Sequence, residues 1–135
     1  METLLIIMVS VIAGVATYYI SVVMGKGAVF GSAIVVLISG ILFQYLEAEN
    51  MITVSGLAVV ATTATYTGMV AQKNVANLSE MAAAGFITAL LYIASVNTFV
   101  GVGGRLGTIA ALACFSWIGI KKLIGGSAKP EEPRY

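Results

Sequence analysis

The charged residues of this chain divide it into five uncharged, strongly apolar stretches, at about 3–24, 28–46, 52–71, 81–100 and 106–124. Each is about as long as the ~20 residues a helix needs to cross a hydrocarbon layer roughly 30 Å thick. The expectation is an all-α, polytopic membrane helix bundle with five transmembrane helices.

Composition agrees. Hydrophobic residues make up 59% of the 135 and charged residues 10%, against roughly 25% charged in ordinary soluble domains. Seven Lys/Arg and six Glu cannot supply the polar surface of a soluble protein. The lipid bilayer is the expected solvent and partner, and the expected location is the cell's inner or plasma membrane, multi-pass. Nothing points to a nucleic-acid partner.

The third stretch is the most polar, with Thr53, Ser55, Thr62, Thr63, Thr65 and Thr67 in "TVSGLAVVATTATYTGMVA". Thr hydroxyls can bond back to carbonyls one turn earlier, so a membrane helix tolerates them. Charge bias supports counting this stretch as a span. With five crossings, Lys26, Lys73, Lys121, Lys122, Lys129 and Arg134 share one side, and Arg105 stands alone on the other with Glu2, Glu47 and Glu49. The excess of Lys and Arg marks the cytoplasmic side, so the N-terminus is expected outside and the C-terminus inside. The first stretch reads as a transmembrane helix rather than an export signal, because Glu2 stands where a signal would carry a basic residue.

Residues 1–124 are expected to form one transmembrane domain and 125–135, "GGSAKPEEPRY", a flexible cytoplasmic tail. Lys121 and Lys122 are expected to snorkel toward lipid phosphates. Asn77-Leu-Ser-Glu80 has capping-box spacing, with Asn77 accepting a backbone N–H and Glu80 reaching back. Small residues recur four apart, as Ser10/Gly14, Gly27/Gly31, Ala64/Gly68, Gly85/Ala89, Gly103/Gly107 and Gly107/Ala111. Such pairs let helices approach closely in lipid. A gapped alignment of "YISVVMGKGAVFGSAIVV" with "YIASVNTFVGVGGRLGTIAAL" suggests an inverted repeat of helix pairs 1–2 and 4–5.

The chemistry available is narrow. The chain has no His, no Asp and one cysteine, Cys114, so His/Cys metal sites, Ser-His-Asp or Cys-His nucleophiles and disulfides lose their usual residues. No cofactor and no enzymatic activity are expected. Glu47 and Glu49, two apart in a loop, are expected to solvate the outer surface, and Cys114 to serve as a small packing residue.

The stretch Asn97–Gly107, "NTFVGVGGRLG", concentrates the candidate functional residues. Its glycines provide a tight turn with Arg105 at the interface, an anion-binding concavity with Arg105 as counter-charge, or an electrostatic gate. Asn97, placed about one turn from the end of span four, reads as interhelical glue or pore lining. The candidate substrate-binding set is Arg105, Gly103, Gly104 and Asn97, with Thr63, Tyr66 and Thr67 of span three. The leading functional expectation is a transporter or channel for a small, anionic solute, as a homo-oligomer. The alternative is a non-transporting accessory or anchoring subunit of a larger membrane complex. Buried polar groups along a water-accessible path would favour the first, and a dry core the second.

Overall fold

A computed structural model describes residues 1–51, 56–98 and 104–125. The expected tail beyond Gly125, which itself closes the last helix, lies outside them, as do Gly103 and the first residues of the third stretch. The described residues form five helices and no strands: α1 (Glu2–Tyr18, continued by a π-helical turn Tyr19–Val23), α2 (Ala28–Ala48), α3 (Leu57–Gly68), α4 (Leu78–Ser95) and α5 (Arg105–Gly125). α1 with its π-turn, α2, α4 and α5 are long and apolar enough to cross a membrane.

Contacts set the chain directions. Ala13 packs with Ala61 and Ala64, and Thr17 meets Gly68, so α1 and α3 run the same way. Ser10 meets Gly85 while Gly14 meets Met81, which makes α4 antiparallel to α1. Lys121 meets Glu80 and Arg105 meets Tyr92, so α5 reverses again. Gly31 lies against Thr17 and Ser21, and Val35 packs beside Ala13, so α2 descends along α1. Successive helices therefore alternate in direction. Glu2, Glu47, Glu49 and Arg105 fall at one end of the bundle, and Lys26, Lys73, Lys121 and Lys122 at the other.

α1 is the hub. Three neighbouring helices each present a glycine to its backbone. A Cβ at position 68 would stand 2.7 Å from the Gly14 carbonyl oxygen and 2.7 Å from Thr17 Cβ. At position 31 it would stand 2.9 Å from the Thr17 carbonyl oxygen, and at position 85 it would stand 3.1 Å from Val11 Cα. Lipid offers no hydrophobic drive for helix association, so close backbone approach and van der Waals contact hold such a bundle together. The Ser10 hydroxyl adds a cross-helix bond, donating to the Gly85 carbonyl at 2.8 Å.

α3 differs from expectation in length. Its twelve residues rise about 18 Å, short of the roughly 30 Å that residues 52–71 were expected to cross as a helix. Burial explains how a short helix is tolerated here. Eight of the twelve residues are buried, and α3 touches all four other helices. Enclosed by protein, its flanking backbone can be satisfied by side chains rather than by further helix. Glu47 Oε1 accepts the Gly56 N–H at 3.0 Å, the Val75 carbonyl accepts the Tyr18 hydroxyl, and Glu80 Oε2 accepts the Ala76 N–H at 3.1 Å. Glu47 thus holds the start of α3, where it was expected to solvate the outer surface.

Other boundaries have local causes. α2 ends with Asn50 in the left-handed region, φ +52°, while the Met51 N–H bonds to the Leu46 carbonyl and the Asn50 N–H to that of Glu47. This is the double closure of a Schellman motif, with Asn in the place usually taken by Gly. α4 begins after Asn77, where the cap spacing places it and three residues before the apolar stretch at 81–100. Neither bond of the expected capping box forms: the Asn77 side chain makes no cap bond, and Glu80 reaches past the Asn77 N–H to that of Ala76.

Candidate functional site

The candidate residues from the sequence fall into two places. Arg105 opens α5, preceded by Gly104 at φ +80°. Its guanidinium carbon lies 5.5 Å from the centre of the Tyr92 ring on α4, within range of a cation–π contact. Its Nε is buried and makes no hydrogen bond among the described residues. Asn97 lies beyond the end of α4 and is exposed. α4 stops at Ser95, so Asn97 sits in a turn at the bundle end rather than within the expected span to residue 100.

The hydroxyls of α3 form a second group, deeper in the bundle. Thr67 meets Cys114 of α5, nine residues and about 14 Å along that helix from Arg105. The Thr67 hydroxyl lies 2.8 Å from that of Thr88 on α4, and Thr88 donates to the Ala84 carbonyl at 2.9 Å. With its proton so placed, Thr88 accepts from Thr67. Thr63 donates to the Val59 carbonyl at 2.8 Å, Thr62 to that of Ala58 at 2.8 Å and Thr65 to that of Thr62 at 2.7 Å. This is the back-bonding expected of Thr in a membrane helix. Tyr66 points the other way and is 41% exposed. Thr63, Tyr66 and Thr67 therefore do not converge on one space, and neither Thr63 nor Thr67 has an unspent donor.

Thr17 is the exception. Its side chain is fully buried at the crossing of α1 with Gly31 and Gly68, and its hydroxyl has no partner among the described residues. The neighbouring Tyr18 is 2% exposed and packs with Val75, Met81 and Ala84 at the Lys-bearing end of the bundle.

At that same end, Lys121 Nζ pairs with Glu80 Oε2 at 2.8 Å. Lys121 is thus held by a carboxylate, where it was expected to reach for lipid phosphate. The Trp117 indole N–H is buried one turn before Lys121 and has no hydrogen-bond partner among the described residues. The Lys121–Glu80 pair was not anticipated from the sequence, yet a signal existed. Glu80 lies in the first turn of α4 and Lys121 near the C-terminal end of α5, and antiparallel neighbours bring such positions to one level. Cys114 points its sulfur at the Thr67 carbonyl from 3.8 Å and is partly buried. The described residues hold no cluster of His, Cys, Asp or Glu that could bind a metal ion.

Comparison with protein families, with curated proteins and with solved structures finds no match to this chain.

Proposed function

We propose that this chain is a non-transporting membrane subunit that anchors or stabilises a larger assembly, crossing the inner or plasma membrane five times with the N-terminus outside. One observation carries the reading: the buried hydroxyls of α3 and α4 are spent on helix carbonyls and on one another. A solute path needs polar groups free to replace lost hydration. The glycine contacts around α1 close the space between helices instead. Alternation of helix direction supports five crossings. Among the described residues four Lys lie at one end against Arg105 at the other, which supports the orientation. The outer face of α2, with Phe30, Leu37, Ile41 and Tyr45 exposed, is open to lipid or to a partner helix.

A photo-crosslinking residue at Ile41 in native membranes tests the subunit role. A discrete protein adduct supports it, and lipid adducts alone count against it. Reconstitution of the purified chain in vesicles, with no flux of small anions above empty vesicles, is the companion result.

A second reading has its own observation. Among the described residues Arg105 Nε is buried without a partner, with the guanidinium beside Tyr92 at the end opposite the lysines. A free guanidinium donor at that mouth suits a small anion. On this reading Arg105→Gln abolishes an anion flux that the parent chain supports, and Arg105→Lys restores part of it. A parent chain without flux dismisses it.

A further inference from the structure

A well-formed concavity lies on the flank away from Arg105. α2 touches α1 closely at Gly31, and farther along α3 comes between them. What remains is a groove of about 420 Å³ with Ala16 and Ala61 on its floor, Ile20 and Ile34 at one end, and Val9 and Phe43 at the other. The groove offers no free polar group for a hydrophilic occupant. Its one hydroxyl, that of Ser39, donates to the Val35 carbonyl of its own helix at 2.7 Å.

Two features identify what fits. From Ile20 to Val9 the groove follows eleven residues of α1, about 16 Å. That is half of a hydrocarbon layer roughly 30 Å thick, the depth of one leaflet. The Lys26 N–H bonds back to the carbonyl of Ile20, which lines one end of the groove, at 3.3 Å, and this holds the turn between Gly25 and Gly27 close to that end. Lys26 itself is exposed there. A positive charge thus stands at headgroup level above a slot of one-leaflet length.

We propose that the α1–α2 groove seats one acyl chain of an anionic phospholipid from the leaflet on the Lys26 side, with the ammonium of Lys26 on its phosphate. Lys26 supplies charge attraction and the groove supplies acyl contact, so the two separate by mutation. The inference is independent of whether the chain conducts a solute or supports an assembly.

The test is native mass spectrometry of the chain extracted from vesicles of phosphatidylcholine doped with phosphatidylglycerol. The parent retains one phosphatidylglycerol in preference to phosphatidylcholine by about fivefold, the scale of one basic residue near an anionic surface. Lys26→Gln, at an exposed turn position, keeps a bound lipid but loses the preference. Ala16→Phe, which fills the floor, loses bound lipid of both kinds. Equal retention of the two lipids by the parent overturns the proposal, and so does an unchanged preference in Lys26→Gln. Should Ala16→Phe not fold, the Lys26→Gln comparison still decides. A cross-linked second copy in the groove with no lipid retained also overturns it.

Discussion

The glycines facing α1 and the glycines of α5 look alike in sequence and do opposite things. Gly31, Gly68 and Gly85 each stand where a Cβ would press on α1. Gly107 and Gly119, in equally apolar surroundings, have nothing within 4 Å of the space a Cβ would take. Small residues four apart are thus a permission for close packing, and the permission is used only where another helix arrives. In α1–α4 it is used; in α5 the first turns carry Gly107 on an open face. The structural cost of adding one methyl group should therefore differ sharply between the two sets.

The largest effect is expected at Gly68. Its Cβ would meet backbone oxygen and a β-branched side chain at once, neither of which can swing aside. Gly68→Ala should cost about 3 kcal/mol, the upper range for overpacking, in reversible unfolding in mixed micelles. Gly31→Ala and Gly85→Ala come next, at about 1–2 kcal/mol each, since the contacts there are longer and part of the strain can relax. Thr67→Val, which removes the hydroxyl pair with Thr88 but keeps the shape, should cost about 0.6 kcal/mol, the average for interhelical hydrogen bonds in membranes. Gly107→Ala should be neutral or gain up to about 0.5 kcal/mol, because a helical glycine in open space carries only its entropic penalty. If Gly107→Ala costs as much as Gly85→Ala, α5 has a partner that the isolated chain does not show.

The sequence was most legible where lipid sets the length. Helices expected at 3–24, 28–46 and 106–124 are found at Glu2–Val23, Ala28–Ala48 and Arg105–Gly125. A lipid-facing helix must run from one interface to the other, and its charged ends mark both. α3 escapes that rule because its surroundings are protein, so neither hydropathy nor charge spacing reports that its helix ends at Gly68. The start of α4 was written in Asn77 and Glu80, but which atoms Glu80 would hold depended on where the α3–α4 connection and α5 came to rest. The Thr hydroxyls behaved as local chemistry dictates. Their failure to converge with Tyr66 follows from helix geometry: Thr63 and Thr67 share a face one turn apart, while Tyr66 is turned about 100° away from Thr67. The inverted repeat rests on the alignment alone.

The central claim is that the space around Thr67 and Thr63 is dry. Thiol accessibility tests it most directly, with Thr67→Cys and Thr63→Cys made separately in a Cys114→Ser background and reconstituted in sealed vesicles. A membrane-impermeant methanethiosulfonate reagent is applied from each side, and Lys26→Cys in the same background serves as the exposed control. The account expects the two buried thiols to stay unmodified from both sides while the control reacts. Modification of Thr67→Cys from either side, at a rate approaching that of the control, would contradict a sealed interior and return a solute path to the centre of the bundle.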